Sequence, residues 1–259
     1  MDQHDVQTNL ETLYADWKAT LRFGKDESDS LSPPLLLCLT EEYCRAERRI
    51  VFFGQETFGW KWNSALQKDY PIYPHAWPFQ DINSCSDFPA NPGSIEALCW
   101  GYREFQFAAY QPESRRGPFW QAFKEVCKWP DAGMMWGNVV RMNYSAPTNE
   151  NQSPSIWDAP RSLRDSLISQ QSNLFTAELA ILNPHVCLFF SGPHYDGFIK
   201  GTFPNCEFLA CGEPSARELA RVMDLSLPAA SFRTYHPNFL RQSNRWSYLE
   251  TMRKLVCGD

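Results

Sequence analysis

Four short stretches of the chain concentrate side chains able to hold protons or pair with polar ligands. They are Gly54-Gln55-Glu56, the run from Asn138 to Asn143, Gly192-Pro193-His194 and Tyr235-His236-Pro237-Asn238. Among them are a carboxylate, two imidazoles that can switch roles near neutral pH and several side-chain amides. Asn138 stands inside an apolar run, Trp136-Gly137-Asn138-Val139-Val140, where an amide is costly unless it finds a partner. Each stretch lies at the end of a segment that reads as a strand. In parallel α/β sheets the carboxyl ends of the strands are where polar residues do chemistry. Neighbouring strands would therefore bring all four stretches to one rim.

The elements needed to hold such a rim can be read along the chain. Strands are expected at 49–53, 133–142, 186–192 and from 231 onward. The run VCLFFSG at 186–192 is apolar on both faces, as an inner parallel strand must be. Helices are expected over 8–24, 38–48, 95–110, 118–128, 163–182, 216–225 and 244–256. In 163–182 the apolar residues Leu163, Leu167, Ile168, Leu174, Phe175, Leu179, Ile181 and Leu182 recur at helical spacing. The helix at 118 opens with Pro118 in its first turn, and Ser215-Ala216-Arg217-Glu218 has the pattern of a capping box. Strands alternating with helices predict an α/β protein: a single domain over 1–259, with a central, mainly parallel sheet of about four strands and helices on both faces. Residues 62–95 are rich in Pro, Asn, Asp and aromatics, which predicts a long irregular insertion.

Composition narrows the functional classes. The chain has 259 residues, 43% of them hydrophobic, with 10 Trp, 10 Tyr and 18 Phe to fill a core. No stretch approaches the roughly 20 apolar residues of a membrane helix, and the N-terminus lacks the basic and apolar regions of a signal peptide. A cytoplasmic monomer with no membrane association is expected. The nine cysteines contain no C-x-x-C pair, so buried free thiols are expected rather than a metal site, and no cofactor is predicted. A P-loop, a G-x-G-x-x-G and a G-x-S-x-G elbow are all missing from the sequence, which weighs against nucleotide binding and the usual serine hydrolase mechanism. The net charge of −6 argues against a general nucleic-acid coat. It leaves room for a local basic face, and Arg233, Arg241, Arg245, Arg253 and Lys254 gather near the C-terminus.

Taken in order, Gly-Gln-acid-x-aromatic after a first strand, an Asn in a second and His-Pro-Asn after the last resemble the uracil-DNA glycosylase superfamily. That family carries a Gly-Gln-Asp-Pro-Tyr loop, a strand Asn and a His-Pro-Ser loop. The similarity spans about 45–245, with close matching confined to the first and last loops. The resemblance implies a uracil-DNA-glycosylase-like fold and a monofunctional enzyme that flips a base out of DNA and hydrolyses its N-glycosidic bond. It implies that Glu56 orients water and stabilises the sugar cation, and that His236 hydrogen-bonds the departing base. Gln55 and Phe58 would stand against the base, and Asn138 would read its Watson–Crick edge, with Asn143 as the other candidate. Asn238, Phe239, Leu240 and Arg241 would contact DNA, Phe239 and Leu240 as an apolar wedge and Arg241 at a phosphate. Gly54 and His194 would support these groups from behind. Trp60, Phe79 and Phe105 are candidates for the ring that stacks on the flipped base. Such chemistry suits the residue types, since an oxocarbenium-like state needs a carboxylate near the sugar and a donor near the leaving group.

The first loop departs from the family. Thr57 replaces Pro, Phe58 replaces Tyr, and Gly59 stands where strict uracil enzymes have His. Glu56 is one methylene longer than Asp. These changes predict a pocket remodelled for something other than plain uracil, such as the glucosylated hydroxymethylcytosine of some phage genomes, and hence a role in anti-phage defence. Tyr70, Tyr73, Trp77 and Phe79 of the insertion are candidates to stack on a sugar or to cover the core. Two alternatives stay open: a repair glycosylase for uracil or hypoxanthine, and a catalytically inactive DNA-binding module on the same fold.

Overall fold

The structure, a computed structural model, describes residues 1–57, 81–107, 117–144 and 155–258. Helices α1 (Gln3–Thr20), α2 (Lys25–Ser30) and α3 (Glu41–Arg45) precede strand β1 (Arg48–Glu56). Next come α4 (Asp87–Ala90), α5 (Ser94–Phe107), α6 (Pro118–Val126) and β2 (Ala132–Val140). A 3-10 turn at Ile156–Asp158 leads into α7 (Arg161–Leu182) and β3 (Val186–Phe189). A second 3-10 turn, Pro193–Tyr195, runs into α8 (Asp196–Thr202), followed by β4 (Glu207–Ala210), β5 (Leu219–Met223) and β6 (Ala230–Thr234). Helices α9 (Pro237–Gln242) and α10 (Tyr248–Cys257) close the described chain.

One six-stranded sheet, in the order β2-β1-β3-β6-β5-β4, organises these elements. The first four strands in that order run parallel, and they are the four that the apolar runs predict. The other two extend the sheet beyond that expectation: β5 is antiparallel to β6, and β4 to β5. The helix expected over 216–225 is therefore replaced by a strand. Ser215 and Glu218 do pair, with Ser215 N and Oγ donating to Glu218 Oε2 at 3.2 and 3.1 Å. The pair closes a turn, and the residues after it find a better partner in β6 than in a helix of their own.

Alternating residues of β1 explain why helices cover both faces. Phe52 stacks on Phe190 at 4.3 Å and meets Phe119 and Phe123 of α6 edge-on. Phe53 packs against Phe189 and against Phe175 of α7. Both are fully buried, and each such ring stabilises the fold by about 1.5–3 kcal/mol. Helix α1 adds Leu10, Tyr14 and Trp17 from one face. Among the described residues no helix is long and apolar enough to cross a membrane.

Candidate active site

Strand pairing, rather than a flexible turn, carries the first motif. Gly54, Gln55 and Glu56 continue β1, with Gly54 opposite Asn138 and Glu56 opposite Val140 in β2. This corrects the expectation that β1 ends at residue 53, and it makes the motif rigid. Gly54 is required by a close approach: a Cβ there would lie 2.5 Å from Asn138 Oδ1 and 2.8 Å from a ring carbon of Phe119. Asn138 is only 4% exposed, and its side-chain amide has no hydrogen-bond partner among the described residues.

Phe119 links this pair to the last motif. Its ring lies parallel to the His236 imidazole, with centroids 6.0 Å apart and an interplanar angle of 13°. His236 caps α9, its Nδ1 accepting from the Asn238 backbone N–H at 3.3 Å. That bond assigns the proton of the neutral ring to Nε2. Burial pushes the imidazole down to about pKa 4, so at neutral pH His236 is an uncharged ring with an Nε2–H to donate.

Glu56 is held by three donors. Oε1 accepts from Ser155 Oγ at 2.8 Å and from the Tyr195 hydroxyl at 2.7 Å, and Oε2 accepts from the Ile156 backbone N–H at 2.8 Å. Burial and then the Glu56 charge push the Tyr195 phenol well above its ordinary value, keeping it a donor. A carboxylate offers about four lone-pair sites, so Oε2 retains one for a water. Beside it, Gln55 Nε2 donates to Ser191 O at 2.8 Å. The turn behind them depends on Gly192, whose φ of +74° disfavours a side chain. Gly192 N donates to Thr234 O at 2.9 Å, tying this turn to the end of β6. Arg233 of β6 is nearly fully buried and pairs with Asp196, at the start of α8, through Nη2–Oδ2 at 3.0 Å and Nε–Oδ1 at 2.9 Å. The guanidinium also donates to Ala216 O and Arg217 O, both at 2.8 Å.

The rim thus brings Gly54, Gln55, Glu56, Asn138 and His236 to one end of the sheet. Asn143, fully buried, lies against Thr57, the residue after Glu56, and its backbone exchanges hydrogen bonds with Ser32. Its Oδ1 accepts from Thr57 Oγ1 at 3.3 Å, while its Nδ2 has no partner among the described residues. Leu240 is fully buried in the core, which corrects its assignment as a DNA wedge, because no part of it reaches solvent. Phe239, its neighbour, is 44% exposed and packs on Tyr235 at 4.4 Å. Asn238 and His194 are exposed, and so is Arg241, whose guanidinium lies over Trp246 at 5.6 Å. Phe58, Gly59, Trp60, Tyr70, Tyr73, Trp77, Phe79 and the Phe105 side chain lie outside the described residues.

Sequence reasoning missed Phe119, Ser155, Ile156 and Tyr195. The Gly117-Pro118 start of α6 signals that Phe119 lies in a first helical turn, and that was the only usable hint. Among the described residues no cluster of three or more His, Cys, Asp or Glu side chains could hold a metal ion. No family model matches the chain, and no curated protein matches it either.

Proposed function

We propose that the chain is a monofunctional DNA glycosylase of the uracil-DNA glycosylase type, which flips a modified base from DNA and hydrolyses its N-glycosidic bond. The observation that carries this reading is the meeting of three groups on the rim that fixes Glu56: the uncommitted Asn138 amide, the Phe119 ring and the neutral Nε2–H donor of His236. An amide supplies both a donor and an acceptor for a base edge, and an aromatic ring supplies a stacking surface. As the base leaves with the bonding electrons, negative charge develops on its carbonyl oxygen, where a preset donor such as His236 is most effective. Glu56 offsets the cation forming on the sugar and directs a water to C1′ from the free site on Oε2. The four parallel strands, β2-β1-β3-β6, are the part of the sheet on which the uracil-DNA-glycosylase-like fold assignment draws. Phe239 is the residue left to wedge the duplex and Arg241 the one to meet a phosphate. Nine free cysteines are in keeping with action in a reducing compartment, the cytoplasm.

The substrate we favour is glucosylated hydroxymethylcytosine in phage DNA, because Thr57, Phe58 and Gly59 replace the residues that fit plain uracil. The test is a panel of duplexes carrying that base, uracil or hypoxanthine, with alkaline cleavage to reveal abasic sites. Wild type is expected to leave abasic sites in the glucosylated duplex, and Glu56→Gln to slow this by about 100-fold or more while still binding. Cleavage of only uracil or hypoxanthine would assign a repair role instead. Binding without abasic sites in any duplex would overturn the enzymatic reading in favour of a binding module.

A further inference from the structure

Next to Glu56 lies an open depression of about 400 Å³, lined among the described residues by Gln55, Trp157, His194 and Tyr195. Trp157 is unusual for a tryptophan in being 44% exposed, yet it is firmly placed. Its ring meets Tyr195 and Phe198 edge-on at 5.4 and 5.7 Å, and the Arg164 guanidinium lies 5.6 Å from its centroid. Arg164 is itself committed, donating to Trp157 O at 3.0 Å and to Ala159 O at 2.7 Å. Gln55 spends its Nε2 on Ser191 O, which leaves Oε1 as an acceptor. His194 is exposed and has no hydrogen-bond partner among the described residues. The Tyr195 hydroxyl is engaged by Glu56, so this ring presents carbon surface to the depression.

We infer that this depression is a subsite for a neutral, hydroxyl-rich group, a hexose carried by the base, with Trp157 as its platform and Gln55 and His194 as its hydrogen-bonding partners. An indole face suits the C–H surface of a sugar, and an amide oxygen and an imidazole suit its hydroxyls. Among the described lining residues there is no Lys or Arg to hold a phosphate and no carboxylate to hold an amine. The subsite abuts the catalytic rim through shared residues. Gln55 precedes Glu56 in β1, and Tyr195 both walls the depression and holds the Glu56 carboxylate. In the glycosylase reading, a nucleotide presented to Glu56 would therefore have this depression next to it for a substituent. The inference rests on the glycosylase reading for the identity of the substrate, and on Trp157, Gln55 and His194 for the ligand chemistry.

The test compares single-turnover base release from duplexes containing hydroxymethylcytosine with and without its glucosyl group, alongside saturation-transfer NMR of methyl glucoside with the intact protein. Trp157→Ala is expected to lower the ratio of glucosylated to unglucosylated rates by about tenfold, equivalent to about 1.4 kcal/mol. Trp157→Phe, which keeps an aromatic platform and tolerates the same packing, should retain most of the ratio. Transfer to methyl glucoside should be seen for wild type and lost in Trp157→Ala. An unchanged ratio, or a wild type that ignores the glucosyl group, overturns the subsite while leaving the glycosylase reading intact. If wild type cleaves neither duplex, the glycosylase reading fails. The NMR then decides the subsite alone: transfer abolished by Trp157→Ala sustains it, and no transfer to wild type overturns it.

Discussion

His236 shows how placement changes the chemistry of a side chain. An ordinary histidine is partly charged at pH 6.5, whereas burial beside Phe119 holds this one down to about 4. In an NMR titration its ring protons should shift with a midpoint near pH 4 rather than 6.5. The sign for stability follows. Between those two values the unfolded chain binds the proton and the folded chain refuses it, so His236 makes the fold less stable as pH drops through that window. Above pH 6.5 it has no such effect. His236→Asn should therefore flatten the acid side of a urea-stability profile, and a profile unchanged by the substitution would contradict the assignment. Asn138 and Asn143 make a similar contrast. The two amides look alike in sequence, but Asn138 sits beside Gly54 and Phe119, whereas Asn143 accepts from Thr57 through Oδ1 and keeps a buried Nδ2 without a partner among the described residues.

At the level of elements, the rim is made by register. Parallel pairing sets Gly54 opposite Asn138, and the missing Cβ lets the amide and the Phe119 ring close over the strand. Gly54→Ala would place a methyl group where neither neighbour has room. It should cost about 1–3 kcal/mol of stability by urea denaturation. Under the proposed glycosylase function it should also reduce base release far more than an equally destabilising substitution remote from the rim. Pairing also explains the failed helix at 216–225. Leu219, Ala220 and Val222 are buried in β5 against β6, and that burial outweighs a Ser-Glu turn signal that strands and helices share. The same stretch supplies the carbonyls of Ala216 and Arg217 to Arg233, whose pairing with Asp196 anchors the start of α8, just after Tyr195.

Across the whole molecule, one buried polar network ties distant layers together. Arg141, after β2, pairs with Glu178 of α7, and both side chains are about 1% exposed. Tyr14 of α1 donates to Glu178 Oε1 at 2.9 Å and accepts from Leu37 N at 2.9 Å. Gln171 of α7 accepts from Arg141 N at 3.0 Å and donates to Val139 O at 2.7 Å. The Arg141 guanidinium also lies 4.8 Å from the Phe175 ring centroid. Removing one charge leaves the other stranded, so Glu178→Ala should cost about 3–5 kcal/mol in urea denaturation. The same change in an Arg141→Met background should cost clearly less, and equal costs would show that the two residues are not coupled.

The apolar runs of this chain are enough to locate the four parallel strands, because a strand buried on both faces must be apolar throughout, as Val186–Phe189 is. The polar residues that follow those runs are visible for the same reason, since they mark where burial stops. Gly54, Glu56 and His236 follow such runs, and Asn138 stands out instead as an amide inside one. Their partners could not be named in this way. Ser155 and Tyr195 reach Glu56 from 99 and 139 residues away, and nothing in local periodicity encodes which distant side chains will meet. Leu240 and Phe239 are adjacent and similarly apolar, yet the packing of α9 buries one and exposes the other. Local pattern reports how a residue's own backbone is shaped and buried, whereas a site is made of contacts between segments, which form only when the sheet closes.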